Sequence, residues 1–316
     1  VFLSVVIPTY NRLPILRQCL EALEAQELAA PVNDFEVVLV DDGSTDDTVP
    51  WLEANAQRLS HLRLFRQEHG GAAAGRNRGV EQARGDVIVF IDSDLVVRPD
   101  FLRLHGQALE RRWRQRGDRL CFTYGAVVNT ANFENPTAEP HKLNDLSFAY
   151  FATGNVAIDR QVLERSGLFD PAFRQYGWED LELGERLRRM GVELVRCPQA
   201  VGYHWHPALS LDQIPQLMEV ERQRARMGLV FYRKHPTRRV RFIIQYTWLH
   251  RLLWELLTLG GLVNERSLRP LLGWLIRQGR PGLAMELLRL PLNRLGVRAL
   301  YAEARRQGLG TGRRAI

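Results

Sequence analysis

Short apolar runs alternate with amphipathic stretches along the first hundred positions. Residues 2–7, 35–40, 62–65 and 86–91 read as strands. Between them, residues 14–26 place Ile15, Leu16, Leu20 and Leu23 on one helical face. Residues 46–59 read as a helix capped by Ser44 or Thr45, residues 75–84 as another, and residues 99–116 as a fourth with Pro99 near its first turn. This order predicts an α/β fold with a mostly parallel sheet and helices on both faces.

The rhythm changes after residue 116. Residues 120–129 read as a strand, and residues 130–147, rich in Asn, Pro, Glu and Thr, as a long loop of the kind that often serves as a lid. Residues 152–159 suggest a strand, 178–190 a helix and 193–196 a strand. Beyond about residue 207 the pattern is mostly helical. We therefore expect an α/β domain over residues 1–207 and a helical extension over residues 208–316.

Composition refines this division. With 45% apolar and 25% charged residues the chain is ordinary for a globular protein, which excludes pervasive disorder. The net charge of +7 is unevenly spread. Residues 208–316 hold 20 Lys and Arg against 7 Asp and Glu, whereas residues 1–207 hold 23 against 29. A basic extension on an acidic domain suggests two tasks. Its arginines are interleaved with apolar positions and no nucleic-acid module is recognisable, so nucleic acid is set aside. Residues 242–263 are rich in Leu, Ile, Trp and Tyr, but Gln245, His250, Arg251 and Glu255 interrupt them. A spanning helix needs about 20 residues with few or no charges, so no span is expected. Two readings stand for the extension. Trp248, Trp254 and Trp274 with flanking arginines suit an anionic membrane surface; the same helices would also pack on the first domain or on a second subunit.

Cys19, Cys121 and Cys197 are far apart and form no CxxC, which points to a reducing, cytoplasmic setting, peripheral on the inner membrane face if the extension meets lipid. Residues 1–7 are short, lack a basic flank and end at Pro8, so they are expected to form a strand rather than a leader. The absence of an initiating Met suggests a trimmed or processed start.

Candidate chemistry sits at the strand ends, where α/β sheets bind ligands. Asp41-Asp42-Gly43-Ser44-Thr45-Asp46 would serve as a helix-opening turn, yet two acids before a glycine also suit contacts to a base or ribose. In His69-Gly70-Gly71-Ala72-Ala73-Ala74-Gly75-Arg76-Asn77-Arg78-Gly79 the small residues would let backbone approach a ligand closely, and the arginines would add a phosphate contact. It is no Walker A loop, lacking Gly-Lys-Ser/Thr. Asp92-Ser93-Asp94 follows a fully apolar strand, and its carboxylates suit a hard divalent cation, with Asp94 the more direct ligand and Asp92 nearer a ribose or bound water. Trp178-Glu179-Asp180 opens a helix and offers a carboxylate base beside an aromatic wall. In His204-Trp205-His206 the two imidazoles share a strand face, and at least one would complete a metal shell.

Taken in order, Pro8-Thr9-Tyr10-Asn11-Arg12, Val40 to Asp46, Ala74 to Gly79, Phe90-Ile91-Asp92-Ser93-Asp94 and Trp178-Glu179-Asp180 closely resemble family 2 glycosyltransferases with the Rossmann-like GT-A fold. The resemblance covers about residues 1–206. It implies an inverting, hexosyltransferase-type enzyme acting on a nucleotide-diphosphate sugar, most commonly a UDP-sugar. Pro8, Thr9 and Tyr10 would then line the nucleotide site, with Asp42 on the base, Asp41 beside it and Arg76 closing the pocket. Asp92, Ser93 and Asp94 would be the D-x-D element, with Asp94 binding Mn²⁺ or Mg²⁺ together with His204 or His206. Asp180 would be the base and Glu179 its neighbour. Gly154, Asn155 and Trp178 would lie on the acceptor side. A glycan, a lipid-linked glycan or a small molecule would be the acceptor.

Two other readings compete. A sugar-nucleotide nucleotidyltransferase would want a glycine-rich loop with a basic residue directly after strand one, where Pro8-Thr9-Tyr10-Asn11-Arg12 stands instead. A catalytically inactive scaffold of the same fold would not need every expected acid, and all are present.

Overall fold

The computed structural model of this chain describes residues 1–140 and 149–309. The anticipated loop at 130–147 therefore lies partly outside the described residues. Two compact units are present: Val1–Pro171 with Glu179–Pro207, and Ala172–Trp178 with the chain from Ala208 onward. The short excursion of Ala172–Trp178 into the second unit was not expected from the sequence.

The first unit is built on one eight-stranded sheet. Its strands are β1 (Phe2–Thr9), β2 (Asp34–Asp41), β3 (Leu62–Arg66), β4 (Val87–Ile91), β5 (Leu95–Val97), β6 (Cys121–Thr130), β7 (Asn155–Asp159) and β8 (Glu193–Trp205), in spatial order β3-β2-β1-β4-β7-β6-β8-β5. The β3-β2-β1-β4 half is parallel. β7 then runs antiparallel to both β4 and β6, β8 is parallel to β6, and β5 is antiparallel to β8.

Side chains alternate across the strands, so each strand feeds two cores. Leu3, Val5 and Ile7 of β1 pack with Leu16, Leu20 and Leu23 of α1 (Leu13–Glu24) and with Phe101 and Leu109 of α4 (Phe101–Arg116). Val6, Val38, Val40 and Phe90 face the other way. They meet Ala73 and Val80 of α3 (Ala72–Gln82) and Leu183 and Leu187 of α6 (Glu179–Arg189). Helices on both faces explain the near-continuous apolar runs of the parallel strands.

Several expectations change. The helix after β2 is α2 (Thr48–Ala54), shorter than 46–59, and neither Ser44 nor Thr45 caps it. Instead the Asn11 Oδ1 accepts from the Thr45 and Asp46 amides at 2.8 and 3.2 Å, and Ser44 Oγ accepts from the Asn11 amide at 3.0 Å. Polar atoms that might have capped a helix thus tie two loops together. α5 (Arg160–Arg165) and β5 were not anticipated; both are too short for a periodic signal.

β8 continues to Trp205 rather than stopping at 196, because a bulge hides its second half. Gly125 of β6 pairs with Cys197, but the next residue, Ala126, pairs with Val201, so Pro198, Gln199 and Ala200 fall outside the ladder. Pro198 has no amide hydrogen to offer there. The gap is closed by Asn155 of the neighbouring strand β7. Its Nδ2 donates to Ala126 O at 2.8 Å and Ala200 O at 2.9 Å, while Oδ1 meets His105 Nε2 at 2.8 Å. His105 Nδ1 in turn lies 2.7 Å from Thr123 Oγ1. A Cβ on Gly125 would overlap both Ala200 O and the Asn155 amide, so glycine is required at that crossing. Burial pushes His105 down to about 4 despite its bond to Asn155, so it stays neutral in the fold.

The second unit is helical: α7 (Ile214–Lys234), α8 (Arg238–Ile243), α9 (Trp248–Leu257), α10 (Glu265–Arg277) and α11 (Pro281–Arg306). Leu209, Ile214, Leu272, Leu275, Leu288 and Leu292 form a core of its own. No described helix is long and apolar enough to cross a membrane.

Replacing Asn155 by Ala strands two carbonyls and one imidazole. It should destabilise the chain by about 3 kcal/mol, the scale of a buried network left open. A lowered denaturant midpoint in urea unfolding checks this. Because the unfolded His105 binds protons near its ordinary value and the folded one only near 4, acidification through that window should remove further stability, and His105→Gln should flatten that slope.

Candidate functional site

The strand ends of the parallel half carry three loops bound into one wall. Asp42, buried after β2, is its hub. Its carboxylate accepts from Gln67 Nε2 at 2.7 Å, Gly70 N at 2.9 Å and Gly71 N at 2.8 Å, and lies 2.9 Å from His69 Nδ1. Asp42 N donates to Thr9 O at 2.9 Å. Asp41 is fully buried beside it, 3.3 Å from Ser44 N. The direct part expected of Asp42 in touching a base is therefore largely taken up inside the protein; its carboxylate shapes the 67–71 loop. Above this wall the rings of Tyr10 and His69 lie 4.4 Å apart, and Tyr10 is exposed.

Two glycines of α3, Gly75 and Gly79, pack against β1. A Cβ on Gly75 would lie 3.0 Å from Pro8 Cβ, and one on Gly79 would overlap Val6 Cγ1. Their absence of side chains seats α3 on β1 and carries Arg76 inward. The Arg76 guanidinium is nearly fully buried. Its Nη2 donates to Asp92 Oδ1 at 2.9 Å, its Nη1 to Glu179 Oε1 at 3.2 Å, and the ring of Phe169 lies 5.7 Å away. This one cation joins the end of β4 to the first turn of α6.

Asp180 follows Glu179. Burial pushes its carboxyl up to about 7, the Glu179 charge adds to this, and Arg76 opposes it.

Asp94 faces a different set. Trp205 N donates to Asp94 O at 2.9 Å, and β5 pairs Leu95 with His204, so the sheet itself brings the D-x-D turn to the end of β8. Asp94 Oδ1 lies 2.8 Å from His204 Nε2, and Oδ2 lies 3.4 Å from Arg12 Nη1. The His204 and His206 rings are 4.0 Å apart. Ligand-capable atoms of Asp94, His204 and His206 all fall within 4.8 Å of one another. Burial disfavours the Asp94 anion, but its bond to His204 and the charges around it hold the carboxyl below its ordinary range. Burial likewise opposes the His204 cation, and Asp94 outweighs it, so that imidazole is raised. His206 is pushed down to about 4 by desolvation of its ring and by His204. One carboxylate and two imidazoles suit a first-row divalent cation such as Mn²⁺ better than Mg²⁺, which favours oxygen donors. Asp92 is not in this triad; its oxygen is turned to Arg76.

The remaining expected residues separate. Ser93 is buried within the turn. A Cβ on Gly154 would lie 3.4 Å from Asp92 Oδ2, so Gly154 borders Asp92. Asn155, expected on the acceptor side, lies in the sheet interior with its amide bonded to His105, Ala126 O and Ala200 O. Trp178 belongs to the second unit, where its indole donates to Arg224 O at 2.7 Å. Arg12, Gln67 and His69 were not assigned roles from the sequence. Arg12 closes the first motif, but its partner Asp94 is 82 positions away, a pairing only the fold reveals. Among the described residues, Thr9 Oγ1, Arg76 Nε and Glu179 Oε2 are buried polar atoms without a hydrogen-bond partner, all in this one region.

Residues 4–115 match the family described as glycosyl transferase family 2. The hyaluronan synthase of Pasteurella multocida is 32% identical over an alignment that covers 65% of this chain. The chain spans only about a quarter of that relative, 24% of its length. Among solved structures, the mannosyltransferase PcManGT of Pyrobaculum calidifontis, in complex with GDP-Man and Mn²⁺, superimposes with a TM-score of 0.60 at 19% identity, covering 95% of this chain and 86% of the other. S. aureus TarS 1–349 in complex with UDP-GlcNAc gives 0.51 at 16% identity, covering 98% and 92%.

Asp42→Ala removes the acceptor shared by four loop donors. Hydrogen exchange at the Gly70 and Gly71 amides should quicken by about tenfold or more, because a charge-assisted bond contributes about 1.5–3 kcal/mol. Amides of β7 should be unaffected, which separates local loosening from global unfolding.

Proposed function

We propose that this chain, whose residues 4–115 match glycosyl transferase family 2 and whose fold is that of GT-A enzymes, moves a sugar from a nucleotide-diphosphate donor to an acceptor hydroxyl, with inversion and with Asp180 as general base. The observation that carries this reading is the Arg76 bridge, which sets the donor-side Asp92 and the acid pair Glu179–Asp180 around one buried cation.

Each side chain then has a task. Pro8, Thr9, Tyr10, Asp41 and the loop built on Asp42 hold the nucleoside, with the exposed Tyr10 ring available for stacking on a base. Asp92 and Ser93 face the sugar and ribose side, and Gly154 leaves room beside Asp92. Asp94, His204 and His206 would hold a divalent cation, which when bound supplies positive charge to the diphosphate. Arg76, and Arg12 beside Asp94, add fixed positive charge where the leaving group gains negative charge. Asp180 takes the proton of the attacking hydroxyl as the bond from its oxygen to the anomeric carbon forms and the bond to the diphosphate breaks. One displacement from the opposite face inverts that carbon and needs no protein nucleophile. The donor panel should start with UDP-sugars and include GDP-sugars, and the acceptor panel with glycans and lipid-linked glycans. Three buried free thiols support a reducing compartment.

The test uses labelled donors with Mn²⁺ and reads acceptor-dependent release of nucleoside diphosphate. Chelation should stop it, and release of pyrophosphate instead would overturn the reading. Asp180→Asn should lower kcat by about 10²–10⁴-fold while donor Kd stays near the unaltered value. Normal transfer by this variant would remove Asp180 from the role of base.

The pH profile supplies a second check. Asp180 must be ionised to act, and its proton affinity is raised, so kcat/KM should climb with pH through about 7. Glu179→Gln removes one of the charges that raises it, so the rising limb should move to lower pH. An unmoved limb would show that another group titrates.

A further inference from the structure

Helix α9 is built the wrong way round for a water-soluble helix. Trp248, Leu249, Leu252, Leu253, Leu256 and Leu257 are each between 42% and 70% exposed, and no residue of the helix is buried. At 3.6 residues per turn these six positions fill one contiguous half of the circumference. The opposite half is polar and holds the helix to its own unit. Glu255 Oε2 accepts from Arg294 Nε and Nη2 of α11 at 3.0 and 2.8 Å, and Trp254 Nε1 donates to Gln245 Oε1 at 2.6 Å. The exposure continues past the helix in Leu259 at 64% and Leu262 at 74%. Isolated apolar residues on a surface need no explanation, but a continuous apolar half-helix does.

We propose that the α9 face is a membrane-docking surface that lies flat on a bilayer containing anionic phospholipid. Charge decides between the candidate occupants. Residues 238–306 contain thirteen arginines against four glutamates. Arg298 is 3.6 Å from Glu255 of α9, Arg251 on α9 is exposed, and Arg266 just beyond is 93% exposed. A second copy of the same surface would bring like charges together, whereas an anionic headgroup layer would offset them. Tryptophan suits the boundary between headgroups and chains, and Trp248, at the start of the face, is 70% exposed. No described helix is both long and apolar enough to span, so the proposed contact is interfacial. This inference does not depend on the catalytic reading, but it fits an enzyme whose acceptor is held at a lipid surface.

The test is flotation of the full chain with vesicles of phosphatidylcholine alone and of phosphatidylcholine with phosphatidylglycerol. The chain should float with the anionic vesicles, less so as salt is raised. Leu252→Glu with Leu256→Glu should weaken partitioning by about tenfold or more, since each leucine buried in the interface contributes on that scale. Both side chains are exposed, so far-UV circular dichroism should not change. Arg266→Glu, a change at a nearly fully exposed residue, should reduce the preference for anionic over neutral vesicles and serves as the second variant. No flotation of the unaltered chain, or flotation unchanged in the leucine pair, overturns the proposal. So does a dimer in light scattering that the leucine pair abolishes without any vesicle binding, which would assign the face to a second copy.

Discussion

A buried guanidinium is tolerated only where anions surround it, because removing an unpaired charge from water costs several kcal/mol. Arg76 is that group here, and much of the first unit is arranged to satisfy it. Gly75 and Gly79 seat its helix against β1 closely enough to carry it inward. Asp92 at the end of β4 and Glu179 at the start of α6 meet it there, although they stand 87 positions apart in the chain. Asn77, next to Arg76 on α3, exchanges hydrogen bonds at 2.7 and 2.9 Å with the backbone of Phe169, whose ring lies near the guanidinium. The ion pairs thus act as positioning devices: breaking any one would leave a buried charge exposed to its neighbours.

The other half of the site is placed by backbone pairing. β5 is only three residues long, yet it is antiparallel to the end of β8, and that ladder fixes Asp94 against His204. Which residues of β8 reach this point is decided by the bulge at 198–200. Without those extra residues the register would slip, and the histidines would move along or across the sheet. Asn155 seals the bulge from the adjacent strand. A buried residue that touches no candidate ligand therefore holds the geometry of one that does.

The parallel strands and their helices were legible because repeated burial on both faces leaves a periodic trace. The order of motifs at the strand ends was legible for a related reason: each lies where a strand must hand over to a loop. What escaped were features set by partners remote in sequence. The resemblance assigns Asn155 and Asp42 to ligand contacts, but it carries no trace of the bonds these two side chains make inside the fold. Within the glycine-rich stretch, the need of Gly75 and Gly79 to make room for β1 could not be read from the sequence. β8 seemed to end at 196 because Pro198 and Gln199 break the strand pattern at the bulge. The extension's apolar helices could have been core or interface, and the sequence alone could not divide them. The structure does: Leu272, Leu275 and Leu288 form the core while the leucines of α9 face outward.

The catalytic proposal rests finally on a balance at Asp180. Burial and the Glu179 charge both favour its protonated form, and alone they would make it an acid at neutral pH. Arg76 favours the anion and opposes them. A carboxylate drawn too strongly by a guanidinium would be ionised but a poor proton acceptor, and one without a cation nearby would be already protonated. By binding Glu179 directly and acting on Asp180 through space, Arg76 stabilises the anion without occupying its oxygens. On this proposal the same cation that satisfies Asp92 keeps Asp180 near the middle of its titration, where accepting a proton and releasing it are both accessible.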